Sequence, residues 1–199
     1  MSDVLNSGLR RQFTIAHELG HFLLHTVGDD QLSCCVDENI DDLDRRRVER
    51  EANRFAAEFL MPHGRWSDAA RVPAPDMTVV RGLAADYQVS LTTAAIRFVE
   101  LAPSRCAVVF CRDLRMKWSA ESPRLGYRFV KGTPVTPASL AWGYLEGHPM
   151  PDWPTRVPAT AWLRVAGRKR EAELIEHCVP MAVQHAALSM LVLPPNSGL

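Results

Sequence analysis

The chain has 199 residues, of which 47% are hydrophobic and 23% are charged, a composition typical of a globular protein large enough for one or two domains. Lys and Arg total 23, as do Asp and Glu, so the formal net charge is zero and gives no general attraction to nucleic acid or acidic membranes. The five cysteines form no C-x-x-C pair. This favours reduced thiols and a cytoplasmic location over a disulfide framework.

The first predicted element is an amphipathic helix over about residues 9–26 that contains the sequence H-E-x-x-H. His17 and His21 are four residues apart, so they lie one above the other on one face. Two imidazoles at this spacing are typical of zinc ligands, and Glu18 is placed to accept a proton from a zinc-bound water. The opposite face is predicted to pack on a core because it is apolar: Ile15, Ala16, Leu19, Phe22 and Leu23.

An exposed acidic loop is predicted over about residues 29–44, and a second helix over about residues 42–60. In this helix Glu49 and Glu51 compete for the role of third metal ligand. Glu49 falls within the apolar arc, where a carboxylate needs a partner such as a metal ion, so we prefer it to Glu51. Asn53 lies one turn beyond Glu49 and can orient a ligand.

Together, His17, His21 and Glu49 would form a His₂Glu set that leaves a fourth position open to water. That arrangement is typical of catalytic zinc sites. An ordinary amphipathic helix with a solvated acid is the alternative that helix geometry alone leaves open.

Two segments of the chain resemble the ImmA/IrrE family of metallopeptidases, and the resemblance extends over about residues 10–100. The segments are RQFTIAHELGHFLLH at residues 11–25 and VEREANRFAAEFLMP at residues 48–62. The resemblance implies a thermolysin-like zincin fold whose third zinc ligand is a Glu on the second helix, in agreement with Glu49. It also implies a protein substrate, namely a helix-turn-helix repressor whose cleavage releases mobile-element or stress genes.

Proteins of this family usually carry strands before the H-E-x-x-H helix, and an edge strand there helps to hold an extended substrate. Only 16 residues precede His17 in this sequence. We therefore expect residues 1–103 to form a metallopeptidase domain without those strands. The alternative function is a non-catalytic regulator that binds a repressor or DNA through the helical unit.

Residues 63–75 are predicted to form a linker, after which Asp76 and Ser90 are predicted to cap two further helices. The segment from residue 83 to residue 97 resembles a helix-turn-helix unit. Its second helix offers one arginine and mostly apolar side chains, whereas DNA contacts need more donors. We therefore expect no direct DNA binding and interpret the unit as packing behind the metal site.

From about residue 104 the pattern changes to short strands, which predicts a C-terminal accessory domain, mixed α/β or mainly β, over residues 104–199. A short helix is predicted at residues 138–147. Strands are predicted at residues 106–111, 114–119, 127–131, 159–165, 172–179 and 186–193. The expected fold class is thus α+β, with a helical zincin-like core before this domain. No segment predicts a membrane span, and nothing in the sequence indicates an oligomeric state.

Overall fold

The computed structural model describes residues 2–25, 42–165, 167, 171–181, 185–195 and 197–199. Within these residues the α+β class is confirmed. The helices are α1 (Ser2–His25), α2 (Asp42–Leu60), α3 (His63–Ala69), α4 (Met77–Asp86), α5 (Leu91–Leu101) and α6 (Leu140–Leu145). The strands are β1 (Cys106–Arg112), β2 (Arg115–Glu121), β3 (Thr155–Pro158), β4 (Glu173–Met181) and β5 (Ala186–Val192).

The strands form one antiparallel sheet in the order β2-β1-β5-β4-β3. Strand β5 is buried along its whole length because it lies between β1 and β4 and is covered on both faces. Alternate residues point to opposite faces. Val108 therefore packs with the helical core that contains Phe98, whereas Val109 packs in a second core with Leu174.

The helical half and the sheet share the first of these cores. Phe98 of α5, Val108 of β1 and Leu188 of β5 all belong to it. The division of the chain at residue 104 into two domains, and the zincin-like arrangement of the first, stay predictions.

Both predicted helix caps are confirmed, and they explain where α4 and α5 begin. The Asp76 carboxylate accepts hydrogen bonds from the N–H groups of Thr78 and Val79, and the Ser90 hydroxyl accepts one from Thr93. These bonds satisfy amide groups that have no partner within the helix.

The single arginine of α5 faces the protein interior. Arg97 is 7% exposed; it donates hydrogen bonds to the Met61 carbonyl and pairs with Glu58. It thereby joins α5 to the end of α2, and it is not presented to a nucleic acid.

The apolar face of α1 differs from the prediction. Ile15, Phe22 and Leu23 are 59%, 58% and 44% exposed, whereas Ala16 is buried and the backbone of Gly20 lies against α2. The predicted packing of this whole face on a core is therefore wrong. Gly20 lies at the close approach to α2, whereas those three larger side chains stay exposed.

Two segments are helical where the sequence predicted no helix. Helix α1 already begins at Ser2, and the predicted linker at residues 63–75 contains α3. Pro62 precedes α3 with a φ of −56°, a value suited to the start of a helix. Trp66 then anchors α3 because its side chain is fully buried beside Tyr87.

Two predicted strands are not strands. The segment 127–131 is bounded by Gly126 and Gly132, whose φ angles of +77° and +86° redirect the chain away from a continuous ladder. The second of these predicted strands is the one at residues 159–165, and the observed strand β3 lies just before it in the chain. Strand β3 ends at Pro158, and a 3₁₀ turn (Ala159–Ala161) occupies the start of the predicted strand at 159–165.

The acidic loop predicted at 29–44 falls mostly on residues 26–41, which lie outside the described residues. None of the helices in the described ranges is long and apolar enough to cross a membrane.

Candidate metal centre

The structure brings together the three predicted metal ligands. The Nε2 atoms of His17 and His21 are 3.0 Å apart. A Glu49 oxygen lies 3.4 Å from the Nε2 atom of His17, and the other lies 3.5 Å from that of His21. Within the described ranges, this is the group of His, Cys, Asp and Glu side chains that could hold a metal ion.

These separations fit a tetrahedral zinc ion. Zinc binds imidazole nitrogen and carboxylate oxygen at about 2.0–2.1 Å, which places two tetrahedral ligand atoms about 3.3 Å apart. The separation of 3.0 Å between the two Nε2 atoms lies close to that value, and each imidazole has one Glu49 oxygen at 3.4 or 3.5 Å, so the two nitrogens and the carboxylate are close enough to share one ion. Two His and one Glu leave one position of the tetrahedron for water or substrate, as in catalytic rather than structural sites.

Asn53 of α2 contacts the cluster through His17. Its Oδ1 atom lies 3.1 Å from the Nδ1 atom of His17. Because an amide oxygen only accepts, this contact is a hydrogen bond in the tautomer that carries the proton on Nδ1, and that tautomer leaves the Nε2 lone pair for a metal ion. The contact therefore fixes both the tautomer and the ring orientation that a metal ligand needs.

Gly20 sets the distance between the two helices that carry the ligands. A Cβ atom at this position would lie 3.1 Å from the Phe55 ring and 3.2 Å from both the Cα and the carbonyl oxygen of Ala52. A larger residue would therefore separate α1 from α2. The absence of a side chain here allows Glu49 of α2 to reach the two imidazoles of α1.

In the structure, the two acids considered as the third metal ligand have different partners. Glu49 faces the two histidines, whereas Glu51 binds His25 at 3.1 Å and Arg47 at 3.0 Å. Hydrogen bonds from Arg47 and then from His25 hold the pKa of Glu51 below its usual value. The geometry thus agrees with the choice of Glu49, and its role as a ligand stays a prediction.

The expected burial of Glu49, on which that choice rested, is wrong. Glu49 was expected within a buried arc, but its side chain is 53% exposed. The surface between the two helices opens to solvent at this point, so a metal ion here would be accessible to water and to a peptide.

Glu18 is exposed on α1, directly after His17. Within the described ranges it makes no hydrogen bond or ion pair, and its carboxylate is therefore available to act as a base. That role stays a prediction.

His25 also lies on the side of α1 that carries the metal centre, and the sequence analysis assigned it no role. Its ring centroid lies 5.3 Å from that of His21, and its Nε2 atom donates to Glu51. The signal was present in the sequence, since His17, His21 and His25 recur every four residues and so form one stripe along the helix.

Three potential metal ligands in the sheet, two cysteines and one glutamate, are buried away from this cluster. Burial raises the pKa of the Cys111 and Cys178 thiols to about 12, so both stay protonated and poor as ligands. Glu176 is buried in the sheet, where its carboxylate accepts hydrogen bonds from two amides at the start of α6, from Trp162 and from Ser189.

Comparison with known proteins gives a family match in the part of the chain that carries the candidate metal centre. Residues 4–99 match the family model Peptidase_M78, described as the IrrE N-terminal-like domain. A search of curated proteins found no match. The matched range includes both helices of the candidate metal centre, and a peptidase family indicates a protease-like function. Through residues 4–99, the chain belongs to the ImmA/IrrE family of peptidases.

Proposed function

We propose that the protein is a zinc-dependent endopeptidase that acts in the cytoplasm on a helix-turn-helix repressor. The observation that carries this proposal is the His17–His21–Glu49 cluster, which has the donor set and spacing of an open zinc site. Its position within a peptidase-family domain supports the same conclusion.

The proposed mechanism assigns one role to each side chain. His17, His21 and Glu49 would hold the zinc ion, which when bound supplies Lewis-acid polarisation and lowers the pKa of water to about 7. Asn53 keeps the His17 ring in the required tautomer. Glu18 accepts a proton from the water that attacks the peptide carbonyl, and then delivers it to the leaving amine.

The proposal of a repressor as substrate rests on the family resemblance. The exposed surface between α1 and α2 is compatible with a macromolecular substrate, because Glu49 and Glu18 are both accessible from outside. We propose that repressor cleavage releases the mobile-element or stress genes that the repressor silences.

The substitution Glu18→Gln tests the catalytic part of the proposal. Zinc-loaded wild-type protein and the variant would each be incubated with purified helix-turn-helix repressors, and products would be identified by mass spectrometry. We expect the variant to keep its zinc and to lose cleavage by about 10²-fold or more, since it lacks the base. The control Glu146→Gln changes an exposed carboxylate at the end of α6 and should leave cleavage unchanged. Cleavage by Glu18→Gln at the wild-type rate would refute this mechanism.

A second candidate is a non-catalytic regulator that binds a repressor. The observation that favours it is the exposed apolar surface of α1 and α2, where Leu24 and Phe59 are 51% and 60% exposed in addition to Ile15, Phe22 and Leu23. Large exposed apolar patches are typical of protein-binding sites. The same incubation distinguishes the two functions, because a regulator would form a complex with the repressor and yield no cleaved product.

A further inference from the structure

A cavity of about 630 Å³ lies beside the candidate metal centre, between α1, α2 and α5. Its volume lies within the range of about 300–1,000 Å³ found for ligand sites. Asn53 belongs to both the cavity and the metal centre, since it lines the cavity and also contacts the Nδ1 atom of His17. Phe13, one helical turn before His17, forms part of the wall on α1.

The lining of the cavity combines an apolar surface with positive charge. Its apolar part comes from all three helices and from the residue that follows α2: Phe13, Ala57, Ile96 and Met61. Arg50 and Arg54 lie one turn apart on α2 and also line it. An occupant that fits this lining therefore needs a large apolar group and a negative charge close to it.

The charges within the cavity are not balanced. Arg97 is paired with Glu58, and its guanidinium lies 4.0 Å from the Glu100 carboxylate on the same helix. Burial raises the pKa of Glu100, while Arg97 acts in the opposite direction. Arg50 and Arg54, by contrast, make no ion pair with any residue in the described ranges. Their two positive charges are therefore available to pair with an acidic group of a bound molecule.

We propose that this cavity is a specificity pocket for the protein substrate, which accepts a large apolar side chain next to an acidic residue. The proposal rests on the proposed peptidase function. A peptide that crosses the His17–His21–Glu49 cluster passes beside Asn53, so a neighbouring side chain of the peptide enters the cavity. Its acidic neighbour then contacts Arg50 or Arg54 at the rim.

The test measures binding separately from cleavage. Zinc-loaded protein with the Glu18→Gln substitution is immobilised and incubated with a defined peptide set on a Gly-Ser background. The central pair of each peptide combines Glu, Gln or Lys with Phe, Leu or Gly, and the retained peptides are quantified by mass spectrometry. We expect peptides with Glu beside Phe or Leu to be retained about fivefold better than their Lys counterparts, as one partly exposed charge contact predicts.

Three further substitutions, each made in the Glu18→Gln protein, locate the effect. Arg54→Glu, which changes an exposed side chain, should remove or reverse the preference for Glu. Ala57→Trp should fill the cavity and remove the preference for Phe and Leu. The control Arg81→Glu changes an arginine on α4 outside the cavity, where it pairs with Asp152, and should change neither preference. Zinc content, measured for each variant, reports whether the metal centre is intact.

The outcomes separate this proposal from the proposed function. Equal retention of all peptides, or a preference for Glu that Arg54→Glu leaves unchanged, would overturn the specificity pocket. Selective retention without hydrolysis by the zinc-loaded wild-type protein would support the pocket and contradict the peptidase function. Hydrolysis without any selection for these pairs would support the peptidase and overturn the pocket.

Discussion

Replacement of Gly20 by alanine should weaken zinc binding, although Gly20 contacts no metal. The new Cβ atom would lie 3.2 Å from the Cα and carbonyl oxygen of Ala52. Ordinary carbon contacts are about 3.5–4.0 Å long, so the two helices must separate by roughly 0.5 Å. The Phe55 ring can rotate away from its own 3.1 Å contact, but the Ala52 backbone cannot.

The separation acts directly on the distance between ligands. Glu49 moves with α2 while His17 and His21 stay on α1, so the separations of 3.4 and 3.5 Å increase by a similar amount. Metal–ligand distances tolerate deviations of about 0.2 Å. We therefore expect the zinc Kd of Gly20→Ala to increase by about tenfold, comparable with the loss of a supporting contact.

The assay is competition for zinc against a chromophoric chelator, with Gly8→Ala as the matched control. Gly8 lies in the same helix, and a Cβ atom added there would meet no neighbouring group within 4 Å. Both substitutions gain helix propensity of about 1 kcal/mol, so their difference isolates the packing against α2. An equal zinc Kd for the two variants would refute the argument that close helix packing positions Glu49.

Three other predictions concern separate parts of the molecule. Asn53→Ala should weaken zinc binding by about 10–100-fold in the chelator assay because the His17 ring loses its orienting contact, and unchanged affinity would contradict that role. Arg97→Met should lower the free energy of unfolding in urea by about 2 kcal/mol, since the buried Met61 carbonyl loses its donors, whereas Arg81→Met, which breaks an exposed pair, should have little effect. Burial lowers the pKa of His177, whose Nδ1 atom accepts the Met77 N–H, below the ordinary value of 6.5. As the pH falls, the unfolded chain therefore takes up a proton at this histidine before the folded chain does. The free energy of unfolding should then decrease as the pH falls through 6.5, and it should decrease less steeply in His177→Gln. Parallel pH profiles of the two proteins would contradict this assignment.

The sequence predicted best those features that depend on local chemistry. The bounds of α2 and the two caps at Asp76 and Ser90 follow from proline, aspartate and serine at specific helical positions. The alignment of His17 with His21 follows from helical spacing alone. That these two meet Glu49 depends on how α1 packs against α2, which the family resemblance indicated and the structure shows.

The features that the sequence did not predict depend on long-range packing. A helical wheel identifies an apolar face on α1, but it does not show whether another element covers Ile15 and Phe22. The burial expected for Glu49 failed for the same reason. Helix α3 is stabilised by the burial of Trp66, and no local pattern indicates that burial. The cavity beside Asn53 likewise exists only where three helices meet.

We expect His17, His21 and Glu49 to bind one zinc ion, and the proposed function depends on this binding. Its most direct test is the zinc content per chain of purified wild-type protein, Glu49→Ala and Glu51→Ala, each supplied with zinc and then freed of excess metal. We predict about one zinc per chain in the wild type and in Glu51→Ala, and a clear loss in Glu49→Ala. Absence of zinc from the wild type, or its loss in Glu51→Ala but not in Glu49→Ala, would contradict the account.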